Sequence, residues 1–343
     1  MITDWRERLA VATRVLVKGA DRQARLGREI PPITADEVAE AKQFFPLEKF
    51  FIFGHARSGT TLLARLVRVH PEVHCNWQAH FFTRPPTLSA MVADHEIGTW
   101  LSRRSNRWNH GRDLSPVVLR AAADFILERE ARQLGKRIVG DKSPSSLMDG
   151  QAVRLLQAVY PDARLIYIVR DGRDTVLSHR LQNFIDAAQH LSKEDLEIRA
   201  AYASQPETFA NGKRSLFTEK GLRRAAEGWV RNLVETDTLG KELYAGQYCA
   251  TRYENLLARP WDEMLKIWAF LGAGIPAEDL REPMLVEMQQ NPDAEWQQYK
   301  AGEMVQTIRK GKQGAWRNLF TQRDIQIFNE IAGQTLIDWG YEV

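Results

Sequence analysis

A chain of 343 residues is long for one hydrophobic core but usual for a single α/β domain with helical elaborations. Its 44% hydrophobic and 27% charged residues exclude a disordered chain, and a net charge of +3 excludes a general nucleic-acid binder while leaving room for a local basic cleft. Two cysteines, Cys75 and Cys249, cannot build a disulfide framework, and no run approaches the roughly 20 apolar residues of a membrane span, so a soluble cytoplasmic protein is expected.

In chain order, residues 1–28 place Ile2, Trp5, Leu9, Ala12 and Leu16 on one helical stripe, with Arg6, Arg8, Arg14 and Lys18 mostly elsewhere. Such a basic amphipathic helix either packs on the body or on a second subunit, as in a homo-oligomer, or makes peripheral contact with a membrane surface. Ile30-Pro-Pro-Ile33 reads as an extended connector and Ala35 to Phe44 as a short helix. Residues 1–46 are therefore expected as a helical extension ahead of a domain over 47–343. Phe50 to Phe53 is an apolar, aromatic run that suits a buried strand ending at Gly54, and Thr61 to Val67 has helical spacing. Further on, a helix over 151–159 leads through Tyr160-Pro-Asp162 into a second buried strand, 163–169. Arg170-Asp-Gly-Arg173 stops that strand, and a helix runs on through Ser178. Lys136 to Gly140 and Gln247 to Tyr253 read as further short strands. Strands alternating with helices predict a three-layer α/β fold of the phosphate-loop type, with a central parallel sheet and helical insertions. The polar, helix-rich stretch 183–225 is expected as an insertion and as a candidate lid over an acceptor site.

The run Gly54-His-Ala-Arg-Ser-Gly59-Thr-Thr61 nearly fits the nucleotide-binding pattern G-x-x-x-x-G-K-[ST], in the strand-to-helix context that pattern needs. Backbone amides of such a turn and the helix start behind it form a concave anion site. Thr60 stands where the lysine belongs, and the positive charge has moved to Arg57. A nucleotide triphosphatase lacking that lysine loses its contact to the β- and γ-phosphates, whereas a sulfuryl donor asks for less charge and no magnesium ion.

At Arg57-Ser-Gly-Thr-Thr-Leu-Leu63 the chain resembles the 5′-phosphosulfate loop of sulfotransferases that use 3′-phosphoadenylyl sulfate (PAPS). The resemblance implies that Arg57 contacts the phosphosulfate and that Ser58, Gly59, Thr60 and Thr61 hold the 5′-phosphate. Ile166 to Ser178 is similar to that family's 3′-phosphate site, which implies binding by Arg170 and Ser178; a forked guanidinium at a strand end suits a phosphate. The other reading of that stretch is an Arg–Asp network capping a helix. Arg309-Lys-Gly311, with the following Gly-Ala-Trp-Arg317, resembles the family's segment that folds over the nucleotide, and implies contacts from Arg309, Lys310 and Gly311. Gly140-Asp-Lys142-Ser-Pro144 resembles the Lys-x-Pro element of tyrosylprotein and heparan-sulfate sulfotransferases, which implies Lys142 beside the transferred group. Arg252-Tyr253-Glu-Asn-Leu resembles a segment that places Tyr253 near the nucleotide; Tyr253 and Trp229 read equally as core aromatics.

Sulfuryl transfer needs a base for the acceptor proton, worth about 10²–10⁴ in rate. The glutamate that serves in tyrosylprotein sulfotransferases corresponds to Gln78, which cannot act as a base and argues against a protein-tyrosine acceptor. His80 is the leading candidate beside its reading as a structural histidine, with His55 second and His110 and His179 behind. Asp141 and Glu254 are expected in ion pairs. The catalytic set is thus expected as Arg57, His80 and Lys142, with no metal. The activity is expected to be PAPS-dependent transfer to a small-molecule, lipid or saccharide hydroxyl or amine, releasing 3′-phosphoadenosine 5′-phosphate (PAP). A phosphate-loop kinase and an inactive nucleotide-binding module are the alternatives. Trp77, Phe81, Phe82, Trp100 and Trp108 read as either acceptor pocket or core.

Overall fold

A computed structural model describes residues 30–275, 278–290 and 313–343. The amphipathic stretch 1–28 and the triplet Arg309, Lys310 and Gly311 lie outside the described residues. In chain order the regular elements begin with α1 (Ala35–Phe44), β1 (Glu48–Phe53), α2 (Thr60–Val67) and β2 (Val73–Trp77). They continue with α3 (His95–Ser102), α4 (Ser115–Gln133), β3 (Ile138–Lys142), α5 (Gly150–Val159) and β4 (Arg164–Val169). After these come α6 (Gly172–Asp186), α7 (Lys193–Ser204), α8 (Glu219–Tyr244) and β5 (Tyr248–Arg252). The last are α9 (Tyr253–Ala258), α10 (Pro260–Phe270), α11 (Arg281–Gln289), α12 (Trp316–Leu319) and α13 (Gln322–Asp338).

The five strands form one sheet in the order β2-β3-β1-β4-β5, every neighbouring pair parallel. Alternation of side chains along each strand splits the core in two. Phe51, Phe53, Leu165, Tyr167 and Val169 face a cluster with α4, α5, α8 and α13, whereas Phe50, Ile52, Ile166 and Ile168 face one with α2, α9 and α10. Apolar side chains on both faces of β1 and β4 are what makes those strands read as continuous hydrophobic runs. The stretch 183–225 puts Phe184, Tyr202, Phe209, Leu216, Phe217 and Leu222 into the first of these clusters. Phe81, Phe82 and Trp229 are core residues as well, while Trp77, Trp100 and Trp108 stay about half exposed.

The third strand sits two residues later than the sequence predicts, at Ile138–Lys142 rather than 136–140. Asp141 and Lys142 look like loop residues, yet both are buried within the ladder, where Lys142 pairs with Ile52 and with Trp77. That shift carries the Lys142 ammonium to the carboxyl end of a central strand.

Candidate active site at the carboxyl edge of the sheet

In a parallel sheet the strand ends open on one edge, and the chain crosses from one side of β1 to the other between β3 and β4, leaving a crevice there. Gly54 and the loop to Thr61 follow β1, Gln78 to His80 follow β2, Lys142 closes β3, Arg170 follows β4 and Tyr253 follows β5.

The loop after β1 is tightly built. A Cβ on Gly54 would lie 2.7 Å from Ser58 Oγ and 2.8 Å from Ile168 O, so only glycine lets the strand turn here. Buried Ser58 donates its hydroxyl to His55 O at 2.7 Å and its amide to the same oxygen at 3.1 Å. Gly59 has φ +97°, and it starts α2 without a side-chain cap. The first amides of that helix therefore point into the crevice without a side-chain acceptor at the cap, the arrangement that attracts anions. Arg57 also has positive φ, +77°, a conformation that costs an L-residue about 1 kcal/mol and marks a held geometry.

Three cations converge on this loop. Arg57 Nε donates to Ser178 Oγ at 3.2 Å. Arg170 Nη1 donates to Arg57 O at 3.3 Å, its guanidinium lies 5.0 Å over the Tyr253 ring, and its Nη2 is 3.7 Å from Asp174. Lys142, buried, reaches Thr61 Oγ1 at 3.4 Å and the Trp77 ring at 5.1 Å. The residues expected at two separate anion sites thus form one contiguous group: Arg57, Ser58, Gly59, Thr60, Thr61, Lys142, Arg170, Ser178 and Tyr253. The Arg–Asp network of this segment is present as well, with Arg170 beside Asp174 and a closer pair next to it. Arg173 pairs with Asp171 at 2.9 Å, and Asp171 caps α6.

Asp174 was not legible as part of this group. Burial raises its pKa, and it accepts from Gly314 N at 2.7 Å and Trp316 N at 3.1 Å. It thereby ties the start of the 313–343 segment to the helix that carries Ser178. Asp141 and Glu254, expected in ion pairs, are held chiefly by hydrogen bonds. Asp141 accepts from Ala79 N and from the Ser143 hydroxyl, and burial pushes its carboxyl up to about 6. Glu254 accepts from Asp171 N at 3.0 Å and from Tyr341 Oη at 2.9 Å, with Arg252 at 3.9 Å.

Burial acts in the same direction on three of the candidate histidines. Burial lowers His80 to about 4, helped by Arg84 and Lys142, and its Nδ1 lies 3.0 Å from Thr83 Oγ1. Burial takes His55 to about 4 as well, with Nδ1 donating to Ala56 O at 2.7 Å. His179, edge-on to His55 at 5.8 Å, is lowered to about 4 by burial and then by His55 and Arg57. All three are neutral near pH 7. His110 belongs to an exposed turn bonded to Arg107. Gln78 is exposed in the loop that follows β2.

A family model described as "Sulfotransferase family" matches residues 49–279. Nodulation protein NoeE of Sinorhizobium fredii is 24% identical over 311 residues, covering 85% of this chain and 65% of that protein. Protein-tyrosine sulfotransferase A of Caenorhabditis elegans is 30% identical over 133 residues, covering 37% of this chain and 32% of that protein. The chain thus spans less than two thirds of the length of either relative. Among solved structures, mouse sulfotransferase SULT7A1 complexed with PAP superposes with a TM-score of 0.44 at 16% identity, covering 88% of this chain and 89% of that one. Among the described residues no helix is long and apolar enough to cross a membrane.

Proposed function

This chain belongs to the sulfotransferase family, and on that premise we propose that it moves a sulfuryl group from PAPS to an acceptor hydroxyl or amine, releasing PAP. The observation that carries this reading is the junction of Arg57, Ser178 and Arg170, which joins the phosphate loop to the end of β4. Two anion-binding elements in contact suit a nucleotide bearing phosphates at both its 3′ and 5′ positions.

The amides at the start of α2, with Ser58, Gly59, Thr60 and Thr61, hold the 5′-phosphate. Arg170 and Ser178 hold the 3′-phosphate, and Tyr253 lines the nucleotide beside Gly59. Arg57 exchanges the Ser178 hydroxyl for a phosphosulfate oxygen. Lys142 supplies from β3 the charge that the loop itself lacks. In the transfer, the acceptor oxygen forms a bond to sulfur while the bond from sulfur to the bridging oxygen breaks, and that electron pair leaves on the 5′-phosphate of PAP. Arg57 and Lys142 stabilise the charge arriving there. His80 takes the acceptor proton on Nε2, with Nδ1–H directed to Thr83 Oγ1. No step in this scheme calls for a metal ion. Gln78 favours a small-molecule, lipid or saccharide acceptor over a protein tyrosine.

Calorimetry with PAP and adenosine 5′-monophosphate tests this reading. PAP is expected to bind at least about tenfold more tightly, and Arg170→Ala to erase most of that preference. Equal binding of the two nucleotides by the parent overturns the assignment, and turnover that requires added magnesium favours a kinase.

A further inference from the structure

Three consecutive amides of the loop leaving β2 are taken up by three consecutive residues at the end of β3. Gln78 N donates to Lys142 O at 2.8 Å, Ala79 N to Asp141 Oδ1 at 3.1 Å and His80 N to Ser143 Oγ at 2.9 Å. The Ser143 hydroxyl in turn donates to Asp141 Oδ2, and both side chains are buried. The regular ladder between these strands ends at the Trp77–Lys142 pair, so side chains continue the pairing where backbone geometry stops.

The captured loop is strained. Gln78 has φ +55° and His80 φ +53°, each costing a non-glycine residue about 1 kcal/mol or more. Such a conformation persists only where the surroundings over-determine it. One end of the loop is fixed by the sheet at Trp77 and the other by Phe81 and Phe82 in the core. Between them Gln78 and Ala79 are exposed and His80 is partly so, so apolar packing does not set their shape. The bonds from Asp141, Lys142 and Ser143 do.

Resting on the proposed part of His80 as base, we propose that Asp141 and Ser143 are positioning residues for sulfuryl transfer. Through the backbone of residues 78–80 they hold His80 at one spacing from Lys142. The base and the cation beside the transferred group are then mounted on the same strand end. Neither Asp141 nor Ser143 touches a reacting atom in this arrangement. Their effect passes through the placement of His80, and a small misplacement of a catalytic group is costly in rate.

Ser143→Ala tests the idea, because it removes the acceptor of the His80 amide and leaves the phosphate loop intact. In the full chain, hydrogen exchange at the His80 amide is expected to quicken at least about tenfold. Turnover of PAPS with p-nitrophenol as probe acceptor is expected to fall about ten- to a hundredfold in kcat, with Kd for PAP unchanged and with Ser143→Thr restoring most of the loss. If the parent does not use p-nitrophenol, acceptor-independent release of PAP from PAPS is read in its place. Should Ser143→Ala not fold, Asp141→Asn keeps an oxygen for the Ala79 amide, and faster exchange is then expected at His80 but not at Ala79. Exchange and turnover matching the parent overturn the proposal, as does a loss of PAP affinity in step with the loss of turnover. A parent chain that fails to bind PAP breaks the sulfotransferase reading itself. One that binds PAP but is indifferent to Ser143→Ala breaks only the clamp.

Discussion

At the amino-terminal edge of the sheet Lys49 sits 2.6 Å from Glu128 and 3.4 Å from Asp124, whereas at the carboxyl-terminal edge Lys142 lies against a threonine hydroxyl and an indole ring. Both lysines are buried, so the difference is in what surrounds them. The amino edge continues as a network. Arg120 Nε is 2.8 Å from Asp124 and Nη1 is 2.7 Å from Asp162, Tyr160 donates to Asp124 at 2.9 Å, and Arg132 Nε donates to Glu128 at 2.7 Å. At the opposite edge Arg57 and Arg170 rest on a hydroxyl, a carbonyl and a ring face, with Asp174 at 3.7 Å. Charge gathered among carboxylates stabilises only the fold. Cations gathered around one loop at the carboxyl edge, even with Asp174 beside Arg170, raise the potential for an arriving anion.

Breaking this contrast should give opposite signatures at the two edges. Asp124→Ala leaves Lys49 and Arg120 without a shared partner and should lower the unfolding free energy by about 3–5 kcal/mol, measured by chemical denaturation. The fraction that folds should still bind PAP. Arg57→Ala should do the reverse, cutting turnover about a hundred- to a thousandfold while the denaturation midpoint moves little. If Arg57→Ala destabilised as much as Asp124→Ala, the functional assignment of the carboxyl edge would fail.

A smaller effect sharpens the comparison through pH. His55 takes a proton near 4 in the folded chain because burial disfavours its charge, but near 6.5 once unfolded. Between those values the unfolded chain holds more protons, so stability is complete above about 6.5 and declines as pH falls toward 4. The buried ring alone accounts for up to about 3 kcal/mol of that decline, and His80 and His179 act in the same direction. His55→Gln should flatten the profile when the denaturation midpoint is followed from pH 7 to 4; an unchanged slope would mean that the burial of His55 does not govern it.

What could be read in the sequence follows from how local each signal is. β1 with Gly54 to Thr61, and β4 with Arg170 to Ser178, are short continuous runs in which apolar residues, a turn and a helix start sit side by side. Val73–Trp77 alternates apolar and polar residues as a strand does, but the pattern lasts only five residues and mixes histidine, asparagine and cysteine, so it stands out little although the strand pairs fully with β3. The end of β3 was misplaced because charged residues in a sheet contradict every compositional rule. The contacts of Lys142 with Thr61 and Trp77 go with that position. Asp141, Ser143 and Asp174 were invisible as site residues, because their partners lie far along the chain and no spacing records them.

The meeting of Gly59 with Tyr253 ties two positions far apart in sequence. A Cβ at position 59 would come within 2.2 Å of the tyrosine ring, and the backbone there has φ +97°. The first obstacle belongs to the pair and the second to position 59 alone. Trimming Tyr253 would therefore relieve the clash of Gly59→Ala but not its backbone strain, so the double variant would recover only part of what the single one loses. Substitutions at these two sites are therefore expected to be non-additive.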